Sequence, residues 1–102
     1  MQPNVLVVDD NNIARKVLIR QLQERGYHTL EAGDGKAALQ TLKDNDVNII
    51  LLDAVMEPIS GLEILKQLRT LRSPMELPIL MMSATRDAQL ILEASQAGGN
   101  DF

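Results

Sequence analysis

The chain has 102 residues, 45% of them hydrophobic and 24% charged, the composition of one globular domain with a single modest core. Lys plus Arg is 10 and Asp plus Glu is 14, a net charge of −4, which argues against a basic nucleic-acid stripe, and Tyr27 and Phe102 are the only Phe, Tyr or Trp residues, which excludes a base-stacking platform. Cysteine is absent, which removes disulfides, thiolate nucleophiles and Cys-ligated metals.

The opening Met1-Gln2-Pro3-Asn4 has no basic n-region, and no apolar stretch approaches the ~20 residues that span a bilayer. A cytoplasmic protein without a membrane partner is expected. Val5-Leu6-Val7-Val8 is a short β-branched run that ends in Asp9-Asp10, as strands covered on both faces do. Ile13, Ala14, Val17, Leu18 and Leu22 then form an apolar stripe at helical spacing, stopped by Gly26. Positions 27–32 are a weaker strand candidate. Ala37, Ala38, Leu39 and Leu42 make a shorter helical stripe. Val47-Asn48-Ile49-Ile50-Leu51-Leu52 is the next strand and runs into Asp53. Ser60-Gly61-Leu62-Glu63 has the capping-box pattern, and Leu62, Leu65, Leu68 and Leu71 continue a helix that Ser73-Pro74 closes. Pro78-Ile79-Leu80-Met81-Met82 runs into Ser83, and Leu90, Ile91 and Ala94 mark a fourth helix ended by Gly98-Gly99.

Strands alternating with helices imply βαβ crossovers and a parallel sheet with helices on both faces, a doubly wound α/β domain spanning residues 1–102. Such a unit normally continues into a fifth strand and helix. The expectation is a sheet cut short before or within that strand and lacking the fifth helix. An edge left open beside positions 78–82 would then favour a homodimer or a strand-exchanged dimer.

Ligands of open α/β sheets bind outside the carboxyl ends of the strands. Asp9, Asp10, Asp53 and Ser83 stand at those ends, and neighbouring strands would bring all four into one crevice. Two carboxylates ~4 Å apart repel by several kcal/mol, which a cation among them would offset. Oxygen-only ligands favour Mg²⁺, or Mn²⁺, over Zn²⁺, and Mg²⁺ with carboxylates suggests phosphoryl chemistry. Asp9 and Asp10 suit the metal. Asp53 is the best placed nucleophile, able to accept a phosphoryl group as an acyl phosphate, and the Ser83 hydroxyl can bond a phosphate oxygen.

These segments resemble the receiver domain of two-component response regulators: Val5-Leu6-Val7-Val8-Asp9-Asp10-Asn11, then Leu51-Leu52-Asp53 with Met56, Pro58 and Gly61, then Met82-Ser83-Ala84, then Ala97-Gly98-Gly99-Asn100-Asp101-Phe102. The resemblance runs from residue 4 to the last, with four motifs in order. It implies a flavodoxin-like sheet of order 2-1-3-4-5. It also implies that Asp53 is the phosphoacceptor for a sensor histidine kinase or phosphotransfer protein. Asp10 would bind Mg²⁺ with Asp9 in support and the Val55 carbonyl as backbone ligand. Ser83 would be the switch hydroxyl and Phe102 the switch aromatic. The domain would then be a switch with self-catalysed phosphotransfer and dephosphorylation rather than an enzyme acting on a separate substrate. Two departures stand out. Glu57 displaces the loop proline to Pro58, and the family's lysine, three residues after the aromatic, would fall beyond Phe102. Lys16, Lys36, Lys43 and Lys66 sit on helical stretches and do not replace it.

Plainer readings exist for each piece. Asp9-Asp10-Asn11-Asn12 could be a loop with a helix cap, Asp53 a turn residue, and Ser83 and Thr85 caps of a following helix. Gly33-Asp34-Gly35-Lys36 lacks the spacing and hydroxyl of a phosphate loop. Asp44, Asp46 and Asn48 lack the Gly and Glu of a calcium loop. His28 reads as a surface or edge residue. Two other functions stay open: a pseudo-receiver that only docks partners, and a small phosphatase using the same aspartate.

Overall fold

The structure is a computed structural model, and it describes residues 3–53, 60–73 and 75–82. Four strands and three helices alternate along them: β1 (Asn4–Val8), α1 (Asn12–Glu24), β2 (His28–Ala32), α2 (Gly35–Asp44), β3 (Ile49–Asp53), α3 (Gly61–Arg69) and β4 (Ile79–Met82). The strands form one sheet of order β2-β1-β3-β4, parallel at every pairing. This is the doubly wound arrangement that the alternating pattern predicts, with its strands in the flavodoxin-like order that the resemblance implies. The expected fourth helix, with its Gly98-Gly99 stop, lies outside the described residues.

The pleat divides the core in two. Leu6, Val8, Ile50, Leu52, Ile79 and Met81 point to the face covered by α2 and α3, where Ala38, Ile64, Leu65 and Leu68 meet them. Val5 and Val7 point the other way, against Ile19 of α1, with Leu18, Leu22, Ile49 and Leu51 packed around them. Continuous apolar strand runs are what a sheet covered on both faces requires.

Local chemistry sets the helix ends. The Asn11 side chain accepts from the Ala14 N–H at 2.9 Å, and Asp34 caps α2 by accepting from Ala37 at 2.7 Å. Asp34 is therefore a cap and not part of a phosphate loop. Ser60 accepts from the Glu63 N–H at 3.3 Å, as the capping-box pattern requires. Gly26, at φ 89°, ends α1. Its N–H donates to the Gln23 carbonyl and that of Tyr27 to the Leu22 carbonyl, the paired bonds of a Schellman stop.

Two helix faces differ from expectation. In α1, Ile13 and Val17 are 79% and 53% exposed. Leu18 and Leu22 do pack inward as expected, and the rest of that face is Arg15 and Ile19, the buried residue of the helix, so that Arg15, Leu18, Ile19 and Leu22 are spaced i, i+3, i+4, i+7. In α3 the helix ends at Arg69, ahead of Ser73, and Leu71 lies beyond it and is exposed. The N–H groups of Leu71 and Arg72 both donate to the Leu68 carbonyl, which tightens the chain into a turn. Arg69 holds that turn by donating to the Leu77 carbonyl at 2.7 Å. His28 is an exposed residue on the outer strand of the sheet, as expected.

Candidate metal centre at the strand ends

The strand register aligns the acids. Val8 pairs with Leu52 across β1 and β3, so Asp9 and Asp53 follow at the same level. Asp9 is buried, Asp53 half-buried and Asp10 exposed. One carboxylate oxygen from each of Asp9, Asp10 and Asp53 lies within 4.8 Å of the others. The convergence expected of these three residues is present. They lie at the switch point of the sheet, where the chain passes from β1 outward to β2 and then back across to β3.

Asp9 is held at three points. Its N–H donates to the Ala32 carbonyl of β2 at 3.1 Å. Its Oδ1 accepts from the Asn11 N–H at 2.9 Å. Its carbonyl accepts from Arg15 Nη1 at 2.8 Å. The plainer reading of this loop holds for Asn11, which is a helix cap, while the preceding acids turn toward Asp53. Asp53 is the last residue of β3, not part of a free turn.

An all-oxygen set without His or Cys suits a hard divalent cation rather than Zn²⁺. Met82 pairs with Asp53 across β3 and β4, which fixes the level at which the chain leaves β4. Ser83, Val55 and Phe102, and with them Met56, Glu57 and Pro58, lie outside the described residues. The lysines among the described residues are all helical: Lys16 on α1, Lys36 and Lys43 on α2, Lys66 on α3.

Arg15 also bears on the site, though no motif in the sequence marks it. Its Nε donates to Glu31 Oε1 at 2.9 Å and its Nη2 to Asn12 Oδ1 at 2.6 Å, besides the bond to Asp9. Lys16 donates to both Glu31 oxygens at 2.9 Å. The hydrogen bonds from Lys16 and then Arg15 hold the Glu31 carboxyl below its ordinary value of 4.5. The available signal was an arginine standing in the buried stripe of α1, a position that patterning fills with an apolar residue.

Comparison with known proteins places the fold in a family. The family model of the response regulator receiver domain matches residues 5–102. The chain belongs to the response regulator receiver domain family. The chemotaxis protein CheY-3 of Vibrio cholerae is 35% identical over 99 residues, covering 96% of this chain and 76% of that protein. The crystal structure of a response regulator receiver protein from Pseudomonas putida superposes with a TM-score of 0.90 at 30% identity, over 100% of this chain and 84% of that one. A response regulator from Burkholderia pseudomallei, solved with a phosphorylated aspartic acid, a calcium ion and citrate, has a TM-score of 0.88 at 26% identity, over 98% of this chain and 58% of that one. No helix of this receiver domain is long and apolar enough to cross a membrane among the described residues.

Proposed function

We propose that this receiver domain is a phosphorylation-operated switch of a cytoplasmic two-component pathway, with Asp53 as phosphoacceptor. The observation that carries the reading is the convergence of Asp9, Asp10 and Asp53 at the carboxyl ends of β1 and β3. The phosphorylated aspartic acid and calcium ion of the Burkholderia relative support it.

Asp9, Asp10 and Asp53 would hold Mg²⁺, or Mn²⁺, with the Val55 carbonyl as a fourth protein ligand. The ion would supply charge neutralisation for the incoming phosphoryl group. An Asp53 carboxylate oxygen attacks the phosphorus of a phosphohistidine on a sensor kinase or phosphotransfer protein. A P–O bond forms, the P–N bond breaks, and the imidazole leaves and takes up a proton. The acyl phosphate adds a charge of about −1.5 to −2 at the strand end. The Ser83 hydroxyl turns toward that charge and Phe102 follows it inward, passing the change to the surface beyond.

The test is intact mass spectrometry after incubation with Mg²⁺ and acetyl phosphate or phosphoramidate. The expected result is an alkali-labile gain of about 80 Da, one phosphoryl group, lost in Asp53→Asn. No adduct from any donor would make the domain a pseudo-receiver that only docks partners. Release of phosphate over many turnovers would make it a phosphatase.

A further inference from the structure

The Arg15 side chain is only 12% exposed, and its guanidinium is spent on three acceptors on three segments: the Asp9 carbonyl after β1, Asn12 at the start of α1, and Glu31 on β2. It lies against Gly33, where an added Cβ would stand 3.4 Å from Nη1. The carbonyl that it grips belongs to the peptide joining Asp9 to Asp10. Orienting that peptide orients the start of Asp10, the exposed member of the acid set, toward Asp53.

We propose that Arg15 is the positioning residue of the acid pocket: its fork fixes the peptide between the two aspartates in the conformation that binds a divalent cation. The proposal rests on reading the pocket as a cation site, and it makes a claim about sign. A positive charge near a cation site weakens binding by repulsion. If Arg15 acted by charge alone, its removal would tighten binding. If it acts by position, its removal loosens binding. Partners that orient metal ligands in this way are commonly worth about 10–100-fold in affinity.

The experiment is a Mn²⁺ titration of the whole chain, followed by the electron paramagnetic resonance signal of the free ion. Amide hydrogen exchange of the metal-free protein is measured in parallel. Arg15→Met is expected to weaken Mn²⁺ binding about tenfold. Arg15→Lys keeps the charge but cannot span three acceptors, and it is expected to weaken binding as well. Lys16→Met removes the same charge from Glu31 without touching Asp9, and its affinity should equal or exceed that of wild type. In Arg15→Met the amides of Asp10 and Asn11 should exchange faster while those of Leu6 and Ile50 keep their protection. Affinity unchanged or tightened in both Arg15 variants overturns the proposal while leaving the cation reading intact. Equal weakening in Lys16→Met overturns it too. Should wild type take up no Mn²⁺, the cation reading and the proposal's binding claim both fall. Exchange at Asp10 and Asn11 then shows whether the clamp itself exists.

Discussion

Gly35 is the first residue of α2, and its lack of a side chain lets the helix approach α3 closely. A Cβ there would stand 2.8 Å from Cγ1 of Ile64, a residue buried in the core. Replacing a helical glycine by alanine normally gains about 0.5–1 kcal/mol. Overpacking a dense core costs about 1–3 kcal/mol, so the clash wins. Gly35→Ala should lower stability in urea denaturation, and the loss should shrink in an Ile64→Ala background that opens the space. Glu31 provides a second residue-scale test. Its carboxyl titrates below 4.5 in the folded chain because Lys16 and Arg15 hold the charged form. A lowered folded value means that the contribution is full above the unfolded value and fades as pH falls through the folded one. The stability advantage of wild type over Glu31→Gln should therefore hold at neutral pH and disappear in acid below about 4.5. Because Glu31 is partly solvated, the advantage should be small and salt-sensitive. An advantage that grows on acidification would contradict the assignment.

The strands were the legible elements. The runs of β1 and β3 are continuous, largely aliphatic and closed by acids, that of β4 is continuous and closed by Ser83, and β2 was the weaker candidate; their alternation with helices gave the common parallel direction before any coordinates. The faces of α1 were not. Ile13, Val17 and Leu18 satisfy helical spacing as well as the true stripe does, and periodicity alone cannot rank two overlapping faces when one of them contains an arginine. The buried face is built on Ile19, 7% exposed, which meets Val5 and Val7. Ile19→Ala should cost about 2–5 kcal/mol, whereas Ile13→Ser should stay within about 0.5 kcal/mol of wild type. Comparable losses at the two positions would mean that the stripe is misassigned. The end of α3 was missed for a similar reason. Leu71 fits the leucine spacing, but the bond from Arg69 to the Leu77 carbonyl pulls the chain into a turn first. That partner is eight residues away, and no helical pattern reports it.

At the scale of the whole molecule the acid site was legible because topology does the assembling. Once three apolar runs are taken as neighbouring parallel strands, residues at their carboxyl ends share a level, and Asp9 and Asp53 do so one step beyond the pair of Val8 and Leu52. The brace on that site was not legible, since a hydrogen bond to a main-chain carbonyl leaves no mark on composition or spacing. Concentrating three acids of a chain with net charge −4 within 4.8 Å makes cation binding and folding a linked pair. A ligand that binds only the folded state at one hundred times its dissociation constant adds about 2.7 kcal/mol of stability. In a domain of this size each kcal/mol moves the melting temperature by about 4–8 °C. Saturating Mg²⁺ should therefore raise the melting temperature by about 10–20 °C, and a chelator should reverse the rise. NaCl at matched ionic strength only screens the acids, so it should give a much smaller rise. Asp10→Asn and Asp53→Asn should lose the Mg²⁺-specific part. If both variants keep it, the ion is stabilising the fold from somewhere other than the ends of β1 and β3.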